Sequence, residues 1–468
     1  MSSERRFQII KNMNELLSKE NREGRRVALE VLEYALGEVD TYKAVKRTVS
    51  LEDDTLKVGE HRYDLSRFRN IYVLGAGKAT FEAAKALEDT LQERIRDGVI
   101  IEKRGMGKKL RRIRVFEAGH PIPDEAGMQG TMEIVKLARE AAEGDLVFVT
   151  ITGGCSALMP LPAEGLTLED KRKVTGLLLE CGATIDEINT VRKHMSAVKG
   201  GRLARIIHPA EFVNLIVIDE KAGKPWGPTT PDRTTFRDAI YVLKKYDLWN
   251  MVPYAVRLHL EKAETENETL KPRSFEAMGI RSRTSILAEN QDVCEAAAKK
   301  AEKLGYKASI LTTILEGESK DIGVALSAVA KEIETRERPV RPPCVVILGG
   351  ETTVTIRGEA GEGGRNQELA LSASLKIAGS GRIVLASLGT DGIDGPTDIA
   401  GAIVDGYTVN RAKAMELDLE KELRRHNSSP VFRALGDAIY TGPTGTNVMD
   451  LHVIVVTPRI HHNINEKQ

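Results

Sequence analysis

The chain has no excess of either charge: Lys+Arg and Asp+Glu each total 68, so the formal net charge is zero. That removes the global field by which a basic protein is drawn to nucleic acid or an anionic membrane, and any cationic site must be local. Cysteine is scarce as well. The four thiols, Cys155, Cys181, Cys294 and Cys344, form no C-x-x-C pair and have no histidine at ligand spacing. This argues against a disulfide framework or structural zinc and suits a reducing cytosol. No apolar run approaches the ~18 residues of a membrane span. The opening residues, MSSERRFQIIKNM, place charges where a secretory signal needs an apolar core. The expectation is a cytoplasmic protein with neither membrane nor nucleic-acid partner.

What is present is a steady alternation of short apolar runs with amphipathic stretches. Residues 5–36 read as one or two amphipathic helices. Strands follow over 70–74, 98–101, 115–118, 145–151 and 212–218, with helices over 80–97, 125–143, 167–181 and 195–207 between them. This rhythm predicts a mainly parallel sheet covered on both faces. A polar stretch over 261–284 marks a boundary, giving domains 1–284 and 285–468. Beyond it come helices over 291–304, 319–335 and 367–377, and strands over 307–311, 345–348, 353–356, 383–388 and 451–456.

The most informative stretch runs from residue 348 to 368, LGGETTVTIRGEAGEGGRNQE. A buried strand ends in two glycines and Glu351, and a glycine cluster then delivers Arg365 to a helix starting near Asn366. Gly358, Gly361, Gly363 and Gly364 let backbone N–H groups crowd around an anion. The helix would add its positive end there. An acid, an arginine and an anion nest in so short a span point to phosphate chemistry.

Other motifs repeat this plan. The strand over 70–74 runs into Gly75-Ala76-Gly77-Lys78-Ala79-Thr80, the start of a dinucleotide fingerprint, with Glu102 available as a ribose acid. Thr80 breaks that fingerprint, and Lys78 at a helix start would share an anion with backbone N–H groups. His120 is a titratable imidazole in the rigid loop GHPIPD. Gly153 and Gly154 form a second nest, with Ser156 placed to cap or donate and Cys155 a thiol at a helix start. Arg192 and Lys199 share one face if their stretch is helical. Asp219 ends a buried strand. Lys78, Ser156, Asp219, Glu351 and Asp391 all stand at carboxyl ends of strands, where open α/β sheets bind ligands. Asp391, Asp394 and Asp398 in a glycine-rich loop are hard oxygen ligands suited to Mg²⁺. Thr444, Thr446, Asn447 and Asp450 add hydroxyls, an amide and an acid near the chain's end.

Taken in order, GAGKA at 75–79, GHPIPD at 119–124, TGGCSAL at 152–158, VRKHMSAVKGGRLA at 191–204, GGETTV at 349–354, GGRNQELAL at 363–371, GTDGIDGPTDIAG at 389–401 and TGPTGTN at 441–447 resemble the glycerate 2-kinase family. The resemblance covers nearly the whole chain, and its C-terminal part is similar to the MOFRL domain. It implies two α/β/α domains, the larger N-terminal one Rossmann-like with a mainly parallel sheet, the C-terminal one MOFRL-type with a mixed sheet, and an active site between them. It implies ATP- and Mg²⁺-dependent phosphorylation of D-glycerate to 2-phosphoglycerate, with active-site roles for Lys78, Asp219, Glu351 and Arg365. On this reading Lys78 and Arg365 divide the glycerate carboxylate and the transferring phosphoryl group between them. Asp219 or Glu351 handles the hydroxyl proton, and Asp391 or Asp394 holds Mg²⁺. Gly363, Gly364 and the 441–447 loop cradle ATP phosphates. Gly75, Gly77, His120, Gly153, Gly154, Ser156, Arg192, Lys199, Asn366, Thr444, Thr446 and Asn447 line the substrate and nucleotide sites. An NAD(P)H-dependent hydroxypyruvate reductase is the alternative, and the oligomeric state is left open, a homodimer included.

Overall fold

Strands without a polar face form the centres of two sheets in the computed structural model, which describes residues 9–218, 226–262 and 268–459. The strands are β1 Val49–Glu52, β2 Thr55–Val58, β3 His61–Asp64, β4 Ile71–Ala76, β5 Ile95–Lys103, β6 Ile113–Ala118, β7 Leu146–Ile151 and β8 Glu211–Val217. They continue with β9 Ser282–Ala288, β10 Lys307–Leu315, β11 Cys344–Gly350, β12 Ile383–Gly389, β13 Gly401–Asp405, β14 Ala438–Ile439 and β15 Asp450–Val456. The chain divides into two units, one carrying Thr41–Ile218 and reaching Leu287, the other joining the residues up to Asp40 with those from Ala288 onward.

The first unit is built on a six-stranded sheet in the order β6-β5-β4-β7-β8-β9. The pairs β4–β5, β5–β6, β4–β7 and β7–β8 are all parallel. Every residue of β4 and β7 is buried, as strands covered on both faces require. The first strand lies at the centre and the order runs outward both ways, so the topology reverses between β4 and β7. That is the doubly wound arrangement, with its ligand crevice at the reversal. The meander β1-β2-β3, absent from the expectation, forms a separate small sheet. The helix expected over 80–97 stops at Leu91, because Gln92 takes a φ of +48° and the chain re-enters the sheet at Ile95.

The second unit carries a mixed sheet in the order β10-β11-β15-β12-β13-β14. Only β10–β11 is parallel, and β15 runs antiparallel between β11 and β12. The strand expected over 353–356 is a single bridge from Thr353 to Glu318. The helix Arg22–Glu38 belongs here too, packed on the helix Asn290–Lys303 and on β12 and β15. Its Arg25 is fully buried, 2.5 Å from Asp405 and 3.0 Å from Asp437. The N-terminal residues therefore join the C-terminal unit rather than the domain spanning 1–284 that the sequence suggested. A local polarity pattern carries no signal of which distant sheet a helix will cover.

Candidate active site

At the topological reversal the chain leaves β4 and β7 through glycine turns that lock together. A Cβ on Gly75 would stand 2.0 Å from Thr150 Oγ1, and Gly77 takes a φ of +141° against Thr152. The Lys78 N–H donates to Gly153 O at 2.8 Å and the Ala79 N–H to Thr152 Oγ1 at 3.0 Å. The Gly77 N–H donates to Ile101 O, and the Thr80 N–H to Gly77 O. Each backbone donor from 77 to 80 thus has a protein acceptor. The expectation that they hold an anion beside Lys78 is corrected: Gly75 and Gly77 serve close strand packing, and the Lys78 side chain is the cation this turn presents.

Gly154 brings the neighbours of that lysine together. At its φ of +85°, a Cβ would stand 3.0 Å from His120 Nε2 and 3.2 Å from Lys78 Cγ. The imidazole and the lysine stem therefore meet over a position that only glycine leaves open. Among the described residues the N–H groups of Gly153 and Gly154 meet no acceptor, so this second nest stays available. Ser156 follows in the short helix Cys155–Leu158, and its carbonyl accepts the buried Lys199 Nζ at 3.0 Å. Arg192 and Lys199 do not share a helical face as expected. Arg192 lies in the last turn of the helix Ile185–His194, and Gly200 and Gly201, at φ +64° and +78°, hold the chain out of helix until Arg202. The two cations are nevertheless charge neighbours. Asp219 lies outside the described residues.

In the second unit one row of register sets the site. Gly350 at the end of β11, Asp450 at the start of β15 and Gly389 at the end of β12 are aligned across the three strands. Glu351 and Asp391 follow within two residues of that row. Arg365, the first residue of the helix Arg365–Ile377, reaches it by a bidentate pair, Nε to Asp450 Oδ2 at 2.6 Å and Nη2 to Oδ1 at 2.9 Å. Its remaining nitrogen, Nη1, lies 2.9 Å from Glu351 Oε1. Burial alone would weaken the hold of Arg365 on its proton, but Asp450 and Glu351 more than reverse this and raise its pKa. Asn366 Nδ2 donates to the same Asp450 at 3.0 Å, while its Oδ1 accepts from Ser387 Oγ, which also contacts His452 Nδ1 at 2.7 Å. Burial pushes His452 down to about 4, so it is neutral near pH 7.

The helix start that follows the glycine cluster holds an anion, but that anion is Asp394. Asp394 Oδ1 accepts from the N–H and Nδ2 of Asn366, and Oδ2 from the N–H and Nε2 of Gln367, at 2.9–3.2 Å. A carboxylate has about four lone-pair positions, and all are engaged. The expected Mg²⁺ role of Asp394 is therefore corrected to that of a helix cap. A Cβ on Gly364 would lie 2.2 Å from Asp394 Cγ, and one on Gly363 2.5 Å from Ser428 Oγ. The Cα faces of those glycines make room for protein atoms. Asn366 is likewise fully buried and serves the network.

Asp391 stands differently. Its Oδ1 accepts the Ile393 N–H at 3.1 Å, and it lies in the same neighbourhood of Gly389 as Asp450. The 441–447 loop closes on it: Thr444 Oγ1 donates to Thr390 O at 2.5 Å and the Thr444 N–H to Asp391 O at 3.3 Å. Asn447 is nearly buried, and Thr446 Oγ1 is a buried hydroxyl with no partner among the described residues. No group of three or more metal-ligating side chains occurs among the described residues. That donor set suits an ion carried in by phosphates, which needs only one or two protein carboxylates.

Family models match a domain of unknown function, DUF4147, over residues 27–261 and the MOFRL family over residues 344–450. A glycerate 2-kinase of Pyrococcus horikoshii is 45% identical over 441 residues, 93% of this chain and 98% of that protein. The chain belongs to the glycerate 2-kinase family. A D-glycerate 2-kinase of Thermotoga maritima is 37% identical over 91% of the chain and 97% of its own length. The crystal structure of a Thermotoga maritima glycerate kinase superposes with a TM-score of 0.78 at 36% identity, over 92% of this chain and 99% of that one. Within this glycerate 2-kinase fold, sequence reasoning missed the structural weight of Asp450 and missed His452 altogether. Only Asp450 left a signal, an acid opening the last strand beside a glycine loop.

Proposed function

We propose that this chain transfers the γ-phosphoryl group of ATP to a hydroxyl of D-glycerate, releasing ADP and 2-phosphoglycerate. The observation that carries the reading is the pairing of near full-length similarity to glycerate 2-kinases with ionisable groups at strand ends in each unit. In the transfer the hydroxyl oxygen forms a bond to Pγ, the bond from Pγ to the β-phosphate oxygen breaks, and the hydroxyl proton goes to a carboxylate. Glu351 is our choice for that carboxylate, since Arg365 fixes its orientation. Asp450 in turn holds Arg365 rigid, and rigid charges stabilise a phosphoryl transition state most effectively. Lys78 and the Gly153–Gly154 N–H groups would bind substrate oxyanions, with His120 packed beside them. Mg²⁺ would be held by Asp391, where it would neutralise developing phosphate charge.

Hydride transfer to hydroxypyruvate fits less well. The ribose of a dinucleotide needs an ionised acid after the second strand, and Glu102 is 1% exposed. Burial pushes that carboxyl up to about 7. Incubating the protein with MgATP and D-glycerate while following ADP release tests the kinase, and nicotinamide absorbance with hydroxypyruvate tests the reductase. Turnover in the second assay alone would reverse the assignment.

A further inference from the structure

Four fully buried polar side chains stand in single file behind Arg365. His452 and Ser387 are register partners on the neighbouring strands β15 and β12, with His452 Nδ1 2.7 Å from Ser387 Oγ. Ser387 Oγ lies 2.6 Å from Asn366 Oδ1, and Asn366 Nδ2 lies 3.0 Å from Asp450 Oδ1, the carboxylate that holds Arg365. The far ring nitrogen of His452, Nε2, is buried and meets no partner among the described residues.

The hydrogens along this file have one consistent arrangement. Asn366 Nδ2 faces two carboxylate oxygens, Asp450 Oδ1 at 3.0 Å and Asp394 Oδ1 at 3.2 Å. A side-chain amide has two N–H donors, and both are used there. Turning the amide over would set Oδ1 against those two oxygens. Asn366 Oδ1 therefore faces Ser387 and takes its hydrogen. A hydroxyl has only one, so Ser387 can only accept from His452, and Nδ1 must be protonated. An imidazolium would also bury an N–H at Nε2 without an acceptor, and burial already pushes this ring down to about 4. The ring is then neutral, Nε2 is bare, and every hydrogen in the file points towards Asp450.

We propose that His452, as its Nδ1–H tautomer, is a positioning residue for phosphoryl transfer, acting through Ser387 and Asn366 to hold Asp450 and, with it, Arg365. The proposal rests on the kinase reading for the role of Arg365. Hydrogen bonds donated in one direction polarise one another, so Asp450 meets a stronger donor than an isolated amide. The competing account makes His452 a filler of core space, whose removal changes stability alone.

Long-range proton–nitrogen NMR spectra of the full chain, labelled at histidine, test the tautomer. We expect one of the nine histidines to show a protonated Nδ1 and a bare Nε2 near pH 7, and that pattern to vanish in His452→Asn. An Nε2–H tautomer or an imidazolium at His452 overturns the proposal. The Arg365 Nε–H, donated to Asp450 Oδ2 at 2.6 Å, reports the positioning without turnover. Its resonance should shift in His452→Leu and return towards the wild-type value in His452→Asn, whose amide can donate from the place of Nδ1. A resonance unmoved by either substitution overturns the proposal.

In steady state His452→Leu should lower kcat about tenfold, the worth of one hydrogen bond, with KM for ATP and D-glycerate changed less, and His452→Asn should recover part of the loss. Ser387→Ala already cuts the file, so adding His452→Leu to it should lower kcat no further. A tenfold loss repeated in that background, or a wild-type kcat in His452→Leu, overturns the proposal. A wild type that shows the Nδ1–H tautomer and the Arg365 shift but releases no ADP from MgATP and D-glycerate overturns the kinase reading and leaves the hold on Arg365 standing.

Discussion

At the scale of single residues, Asp450 is the position on which most depends. It is fully buried, takes two hydrogen bonds from Arg365 and a third from Asn366, and lies in register with the ends of β11 and β12. Asp450→Asn leaves Arg365 with Glu351 alone, so we expect kcat to fall by about a hundredfold or more. Stability should drop by about 3–5 kcal/mol, as for a broken buried pair, read from urea unfolding. Lys171 supplies a pH test. Burial lowers its pKa on folding from the ordinary lysine value to about 7, so the unfolded chain binds the extra proton between those values. Stability from this group therefore rises as pH climbs from about 7 towards 10, and its penalty is complete below 7. Lys171→Met should lack that part of the rise in melts taken across the range. Lys78 and Arg365 were legible in sequence because each follows a strand through a glycine turn. Lys171 was not, because a lysine within a helix reads as a solvated one, and only tertiary packing buries it.

At the scale of elements, the glycine-rich entry to the helix Arg365–Ile377 was legible as an anion nest but not as one filled from within. The sequence pattern of a phosphate loop and that of a loop receiving a neighbouring carboxylate are the same: small residues before a helix start. Asp394 supplies that carboxylate from the loop after β12, and nothing local in the sequence links it to residues almost thirty positions earlier. Asp394→Ala should cost about 1–2 kcal/mol, the worth of a strong helix cap, and lower the Tm before it alters any Mg²⁺ dependence. Asp391→Ala should do the reverse, raising the Mg²⁺ concentration needed for half-maximal turnover with little change in melting. Helix ends in the first unit were misplaced for a related reason. Residues 195–207 have helical composition, yet Gly200 and Gly201 at positive φ divide them.

At the scale of the whole molecule, the alternating pattern was enough to predict two α/β layers and the parallel sheet of the first unit. The placement of residues 9–40 was beyond it, since Arg25 meets Asp405, 380 positions away, and Asp437, further along still. A fragment beginning at residue 285 should therefore unfold without cooperativity, whereas adding residues 1–40 in trans should restore a sharp transition in circular dichroism. The central claim, phosphoryl transfer to glycerate, is tested most directly by phosphorus NMR of wild-type protein incubated with MgATP and D-glycerate. The account predicts loss of the ATP γ-resonance with growth of ADP and 2-phosphoglycerate signals, and neither product with Arg365→Ala over the same interval. An unchanged ATP spectrum in the wild type, or release of inorganic phosphate without a phosphoglycerate, would contradict it.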